Sequence, residues 1–327
     1  MARIALDAMG GDFAPLQTVL GAGDAAADGV DVVLVGDTDK IGEILEKQNL
    51  DLPVVDAPEV ITMDEPPSAA IRRKKRASVT VAARMVADGE ATGMVSAGST
   101  GAALAAAAII IGRIDGVSRP AIATILPAES PVVVLDAGAN LDVRAKHLGQ
   151  FAIMGSVMAR VHLGVEAPRV GLLNIGEEAG KGRDLERDAY STLEASSINF
   201  VGNVEGRDLG EGRADVIVTD GFTGNVLLKT VEATARVVAR LIGGALSSVS
   251  EPAEREAAAL VLPRLVEVRE KLDPEAYGGA HLLGVRGTVV IGHGSSSRVA
   301  IANALRMAAE GTEQGLVDMI EEGIRRG

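Results

Sequence analysis

The sequence predicts an α/β protein built on a doubly wound sheet that is mostly parallel but mixed. Three observations point there. Short apolar runs alternate with helix-length segments almost to the C-terminus, the pattern of parallel strands joined by right-handed crossovers. Hydrophobic residues make up 47% of the 327, yet aromatics are only 2% and Trp is absent. The core is therefore aliphatic, which suits strands covered by helices on both faces. Many of the 39 glycines fall in short loops directly after apolar runs, where a chain bends sharply or approaches a ligand.

Taken in order, the runs read as strands are Arg3–Ala8, Val32–Val35, Val54–Val55, Gly93–Ser96, Ala121–Leu126 and Val132–Leu135. Val170–Asn174, Asn199–Val201, Asp215–Thr219 and Thr288–Ile291 follow. The clearest helical segments between and after them are Leu16–Ala27, Ser68–Asp88, Gly101–Gly112, Lys146–Leu163, Arg183–Glu194, Gly224–Leu246 and Ser296–Ala309. Ala121–Leu126 and Val132–Leu135 are separated only by Pro127-Ala128-Glu129-Ser130-Pro131, too close for a crossover helix. They predict a hairpin, hence the mixed sheet. No internal repeat or low-complexity linker marks a boundary. Residues 1–327 form one catalytic unit, or two lobes sharing one continuous sheet. Residues 251–273 break the rhythm as a protruding helical segment interrupted by Pro263. There Leu260, Val261, Leu262, Leu265, Val266 and Val268 are flanked by charge on both sides. Two readings stand: a helical hairpin packed on the body or a second subunit, or an amphipathic surface that touches a membrane or a partner.

Composition excludes several classes. With 32 basic and 45 acidic residues the net charge is −13, which disfavours nucleic acid. The absence of cysteine removes disulfides, thiolate zinc sites and a Cys nucleophile. Acidity arrives too early, at Asp7, for a secretory signal. The most apolar stretch, Ala102–Ile111, is short of the about 20 residues that span a bilayer. The expectation is a cytosolic protein. The four histidines lack metal-ligand spacing. His162, in an apolar helical stretch, reads as structural. His293, between two glycines after a strand, is the best imidazole for chemistry.

In open α/β sheets ligands sit beyond the carboxyl ends of strands. Here those loops are rich in Gly and small polar residues. Ser96-Ala97-Gly98-Ser99-Thr100-Gly101 opens a helix and can cradle an anion with backbone N–H groups and hydroxyls; ordinary N-capping by Ser99 or Thr100 explains the same residues. Gly176–Gly182 has a glycine spacing one residue short of a P-loop and lacks the Ser/Thr after Lys181. No Gly-x-Gly-x-x-Gly follows the first strand, and no Gly-x-Ser-x-Gly elbow occurs. The basic run Arg72-Arg73-Lys74-Lys75-Arg76 suits either an acidic partner or a solvated helix face.

Together the loops are more specific than any one of them. Asp7-Ala8-Met9-Gly10-Gly11-Asp12 with Pro15, Pro67–Lys75, Ser96–Gly101 and Leu135-Asp136-Ala137-Gly138-Ala139-Asn140 recur in order. Gly171–Glu178 with Lys181-Gly182, Phe200–Asp208, Asp220-Gly221-Phe222-Thr223-Gly224-Asn225, Tyr277–Ala280 and Gly292-His293-Gly294 complete the set. Across nearly the whole chain this resembles the bacterial acyl-ACP:phosphate acyltransferases. Two departures are Ser99 where that family usually has Asn, and Ala77-Ser78-Val79 where it usually has Ser-Ser-Met.

The resemblance implies an isocitrate/isopropylmalate dehydrogenase-like fold and a homodimer. It implies transfer of a long acyl chain from acyl carrier protein to inorganic phosphate, with a membrane-bound glycerol-3-phosphate acyltransferase consuming the product. It implies a cytoplasmic protein in peripheral contact with the membrane, which adds weight to the membrane reading of residues 251–273. Phosphate is already an anionic nucleophile, so no covalent intermediate, cofactor or metal is expected. Positioning and oxyanion stabilisation suffice. Lys181 with Ser99, Thr100 and Gly101 is expected at phosphate. Asn225 and His293 are expected at the thioester carbonyl. Asp7, Glu178 and Asp220 either position those donors, act as base, or simply fix their loops. Arg72, Arg73, Lys74 and Lys75 are the candidate carrier dock. Leu260, Val261, Leu262, Leu265 and Val266 are the candidate membrane contact. A decarboxylating dehydrogenase or phosphotransacetylase-like enzyme of the same fold class, and a non-catalytic acyl-carrier or lipid-binding module, are the rivals.

Overall fold

The computed structural model describes residues 2–128, 130–249, 251–271 and 276–327. Glu129 of the expected hairpin loop, the side chain of Val268, and Leu272 and Asp273 of the expected helical segment lie outside the described residues.

The first half of the sheet holds β1 (Arg3–Asp7), β2 (Asp31–Gly36), β3 (Val54–Asp56) and β4 (Gly93–Ser96). Then come β5 (Ala121–Leu126), β6 (Val132–Leu135), β7 (Val170–Leu173), β8 (Phe200–Val204) and β9 (Val216–Val218). β10 (Ala280–Leu283) and β11 (Thr288–Ile291) complete it. Among the described residues these form one sheet in the order β3-β2-β1-β4-β11-β10-β5-β6-β9-β7-β8. β1 pairs in parallel with β2 and β4, and β4 with β11. β6, β9, β7 and β8 are parallel to one another. The β5–β6 hairpin is antiparallel, with Ala123 opposite Leu135, and β10 is antiparallel to both β11 and β5.

Three antiparallel pairings in the middle have one consequence for function. The β3-β2-β1-β4-β11 block and the β6-β9-β7-β8 block run in opposite directions. Their carboxyl ends lie on opposite edges of the sheet.

Helices cover both faces. One face carries α1 (Leu16–Ala27), α6 (Ala145–Leu163), α7 (Asp184–Glu194), α10 (Arg298–Glu313) and α11 (Leu316–Arg326). α2 (Thr38–Gln48) flanks α1 and β3. The other face carries α3 (Pro67–Arg73), α4 (Ser78–Ala87), α5 (Thr100–Ala106, continued by a π-helical turn to Ile111) and the start of α8 (Gly221–Ser247). Most strand side chains are buried on both faces. That is why the strands read as continuous aliphatic runs rather than as alternation. Phe151, in α6, is the largest fully buried side chain.

The expected helix over 68–88 is two helices. Lys74 leaves the helix because its Nζ donates to Val60 O (2.7 Å) and bonds Glu65. Ala77 is extended, bridging to Glu59, and Ser78 N–H donates to Glu59 O. β10, which the apolar pattern did not reveal, inserts between β11 and β5. α9 (Pro252–Lys271) runs through Pro263, and beyond the first turns of α8 the side chains of both helices are mostly exposed. Among the described residues no helix is long and apolar enough to cross a membrane.

Candidate active site

At the first edge, the loops after β1, β4 and β11 interlock. Gly292 N–H donates to Ser96 O (2.9 Å), and Asp12 N–H to Gly294 O (2.7 Å). Gly10 is glycine because a Cβ there would sit 2.6 Å from Asp7 Oδ2 and 2.8 Å from Gly98 N. Beneath these loops lies Asp7, fully buried at the end of β1. Ser96 Oγ donates to its Oδ2 at 2.7 Å, while Oδ1 has no partner. Burial pushes the Asp7 carboxyl above its ordinary range, against the lowering influence of the nearby Ser78 and Ser96 hydroxyls. A cavity of about 10 Å³, room for a single water, touches Asp7, Gly10, Ser78, Ser96, Gly98 and Ser99. Ser99 caps α5, accepting from Ala102 N at 3.4 Å, so its hydroxyl does at least the ordinary helix-start work. His293 donates its backbone N–H to Ser296 Oγ (2.9 Å), and its Nδ1 lies 3.4 Å from Ser295 Oγ.

The second edge, after β6, β7 and β9, is laced with ion pairs. Asp136, fully buried, accepts from Ile122, Gly138, Ala139 and Asn140 backbone N–H groups and from Asn140 Nδ2, at 2.7–3.1 Å. Burial still carries its carboxyl upward. Asp220 caps α8, accepting from Thr223 N–H (2.8 Å), Thr223 Oγ1 (2.9 Å) and Arg183 (2.7 Å). Burial alone raises Asp220, but the Thr223 and Arg183 contacts outweigh it and hold this carboxyl below its ordinary range. Arg183 also bonds Glu186. Glu178 and Lys181 belong to the loop after β7. Lys181 Nζ is 3.9 Å from Glu178 Oε1, and Lys181 O accepts from Asn174 Nδ2. Gly224 lets α8 start against the β6 exit loop: a Cβ there would fall 2.0 Å from Asp136 O.

α8 joins the two edges. Asn225 faces Gly138, and one turn further on Lys229 Nζ lies 3.2 Å from His293 Nε2 and 2.9 Å from Glu232 Oε2. From Asp220 to Lys229 is nine residues, about 13 Å along the helix at 1.5 Å each.

The structure therefore divides the expected site. Asp7, Ser99, Thr100, Gly101 and His293 gather at one edge; Glu178, Lys181 and Asp220 lie at the other. β4 and β7 stand six places apart in the sheet, about 29 Å at the usual interstrand spacing. Within one chain, Lys181 and Ser99–Gly101 do not close on one phosphate, contrary to expectation. Local sequence reports which loops follow strands but not which edge each strand points to. Lys229 and Arg183 were missed. Lys229 had a signal, since it follows Asn225 by four residues and so shares its helix face. Of the basic run, Arg73 and Lys74 pair with Glu65, whose carboxyl the Lys74 ammonium holds at about 2. Arg76 pairs with Asp56. His162, stacked on buried His281 with ring centroids 4.8 Å apart, bonds Glu310. Among the described residues no group of three or more His, Asp or Glu is placed to hold a metal ion.

A family model described as fatty acid synthesis protein matches residues 2–319. A phosphate acyltransferase of Desulforamulus reducens is 50% identical over 328 aligned residues, covering 99% of this chain and 98% of that one. The chain belongs to the phosphate acyltransferase family. Two solved structures share its fold. EutD phosphotransacetylase from Staphylococcus aureus has a TM-score of 0.62 at 18% identity, covering 95% of this chain and 94% of that one. A 4-hydroxythreonine-4-phosphate dehydrogenase from Salmonella typhimurium, described as putative in its own name, has a TM-score of 0.58 at 12% identity, covering 94% and 98%. The dehydrogenase-like, mixed α/β sheet expected from the sequence is the one observed.

Proposed function

We propose that this enzyme transfers an acyl group from an acyl carrier protein thioester to inorganic phosphate, at the edge formed by the loops after β1, β4 and β11. The observation that carries the activity is the 50% identity over essentially the full length to a named phosphate acyltransferase. What supports the placement is chemical. Transfer to phosphate needs a pocket edge with N–H and hydroxyl donors, a cation and little competing negative charge. At this edge the buried carboxyl of Asp7 is pushed toward its neutral form, and the Glu232 carboxylate is paired with Lys229.

The step balances without a covalent enzyme intermediate. A phosphate oxygen attacks the thioester carbon, the C–S bond breaks, and the proton on phosphate ends on the departing sulfur. Asp7, with an unpartnered Oδ1, is suited to relay that proton or to orient Ser96. Asn225 is proposed to orient the carbonyl from α8, with His293 standing beside that site on the loop after β11 and acting through its neighbours. Lys181 and Glu178 are proposed to act from the second edge on the extended carrier arm of the substrate. Asp220 is proposed to act only through its hold on α8.

The product is proposed to feed a membrane glycerol-3-phosphate acyltransferase, as the first step toward a phospholipid. Support for peripheral membrane contact is the exposed apolar surface of α9; the same surface also suits a homodimer. Incubating the protein with acyl-[acyl carrier protein] and phosphate, with and without NAD and magnesium, tests the activity. Acyl-phosphate trapped by hydroxylamine, independent of NAD and magnesium, is the expected result. Turnover that requires NAD and magnesium would favour the dehydrogenase rival, and binding of the thioester without turnover would favour the carrier module.

A further inference from the structure

We infer that Lys229 is the cation that receives the developing oxyanion of the thioester, with His293 and Glu232 holding it in place. The inference rests on the acyl-transfer reading above and assigns the oxyanion donor within it.

Lys229 comes from the third turn of α8 and meets a residue 64 positions away, at the loop after β11. Its Nζ sits 3.2 Å from His293 Nε2 and 2.9 Å from Glu232 Oε2. An ammonium donates and cannot accept. His293 Nε2 is therefore the acceptor of that contact, and the ring proton is assigned to Nδ1, toward Ser295 Oγ at 3.4 Å. In this tautomer the imidazole has no N–H at Nε2 to offer a carbonyl oxygen. The ammonium does: an NH₃⁺ group has three N–H bonds, and two are engaged by the protein contacts above.

Burial has the matching gradient. The Glu232 side chain is 12% exposed and that of Lys229 is 46% exposed. The carboxylate is sheltered while the cation reaches outward, its long stem fixed at two points. Fixation matters because a donor that is already in place pays no reorganisation when charge develops. Other cations near the predicted residues are differently engaged. Arg183 is held by Glu186 and Asp220, and Lys181 lies at the far edge of the sheet.

In the step itself, a phosphate oxygen bonds to the thioester carbon and the carbonyl electron pair moves onto oxygen, facing Lys229. Collapse expels the sulfur, which takes up the phosphate proton. Lys229 keeps its own proton throughout. His293 is then a positioning residue, acting through Lys229.

The test uses the full-length protein with acyl-[acyl carrier protein] and phosphate, following acyl-phosphate formation. Removing one oxyanion donor costs roughly 10²–10³ in kcat, so Lys229→Met and Lys229→Ala should fall by that factor with an unchanged thermal transition. A charge-stabilising role predicts a loss in kcat rather than in the KM for phosphate, which should move less than about threefold. Ethylammonium added to Lys229→Ala should restore activity at least about tenfold, whereas the parent should not respond. His293→Gln, whose amide oxygen can still accept from the ammonium, should keep more activity than His293→Ala. Should a Met or Ala variant fail to fold, Lys229→Arg decides. It preserves the charge and should remain within about tenfold of the parent. Lys229 variants close to the parent, a loss confined to phosphate KM, or no amine rescue would each overturn the inference while leaving the acyl-transfer reading intact. A parent that forms no acyl-phosphate would overturn both.

Discussion

The two edges of the sheet carry similar residue types in very different states. At the second edge every deeply buried carboxylate is answered: Asp136 by five N–H contacts, Asp220 by Thr223 and Arg183, Glu186 by Arg183. At the first edge Asp7 is equally buried, yet one of its oxygens has no partner, and Lys229 reaches outward beside His293. Charges that are fully satisfied hold loops and helix ends in place. Polar groups that keep an open valence beside the strand-end loops are the better candidates to meet a substrate.

The contrast breaks most visibly under substitution of the buried acids. Asp136→Ala leaves several buried N–H donors without an acceptor, each costing about 1–3 kcal/mol. Urea unfolding should show a loss of at least about 3 kcal/mol. Asp7→Asn should change stability by less than about 1 kcal/mol, since an amide resembles the neutral acid that burial favours. Activity should nevertheless fall by more than about tenfold if Asp7 relays the proton as proposed. Similar stability losses at both sites would remove the distinction between the edges.

A smaller effect appears in the pH dependence, with opposite signs at the two edges. The folded-state pKa of Asp220 is lowered, so its contribution is fully present above the unfolded value of about 4 and is lost as pH falls through the folded value. Asp7 is raised. Its burial penalty is absent below about pH 4 and grows as pH rises through the folded value. Relative to the parent, Asp220→Asn should therefore be most destabilised near neutrality, with the gap closing in acid. For Asp7→Asn the variant should gain on the parent as pH rises. Parallel curves for both variants would show that neither carboxyl titrates as described.

Much of this fold was legible in the sequence because strands buried on both faces are aliphatic runs. Gly93–Ser96, Ala121–Leu126, Val132–Leu135 and Thr288–Ile291 have the expected bounds. β10 was hidden: Ala280–Leu283 is four residues between glycines, and one of its two partners, β5, is far away in sequence. The break between α3 and α4 was also hidden, because it depends on Glu59 and Glu65 from outside the helical segment. For the site, the loops were readable but their grouping was not. Which edge a loop occupies depends on strand order and direction, set here by the central antiparallel strands. Lys229 was readable in principle from its spacing to Asn225, but its partner His293 is brought to it only by the fold.

The basic run gives a more modest comparison, within one segment. Lys74 is a half-buried strut on Glu65 and Val60 O, and Arg73 shares Glu65. Among these cations, Arg72 and Lys75 are better placed to meet an acidic carrier, although Lys75 O accepts from Arg84. Arg72→Ala with Lys75→Ala should slow the reaction with acyl carrier protein by about three- to tenfold, and less with a small thioester. The difference should shrink at high salt, since exposed charges are screened. Lys74→Ala should instead affect both substrates alike. Equal losses for the double variant on both substrates would count against docking here.

The smallest effect on chemistry is expected on α9, whose described side chains are mostly exposed. Leu260 is 76% exposed, and Val261, Leu262 and Val266 are 46%, 43% and 47% exposed. Such a patch is not part of this chain's own core. A patch of this kind suits a second subunit or a lipid surface. With a net charge of −13, attraction to anionic lipid is weak, so attachment has to come from apolar area. Burying one of these side chains contributes about 1.5–3 kcal/mol, and several together suffice for reversible binding. The helix runs through Pro263, so the apolar residues on either side belong to one continuous element. Leu260→Glu with Leu262→Glu should abolish co-sedimentation with phosphatidylcholine vesicles while acyl-phosphate formation in solution stays within about twofold. Retained co-sedimentation would move the membrane contact elsewhere. Loss of a dimer on size-exclusion chromatography, with vesicle binding unaltered, would assign the patch to the second subunit instead.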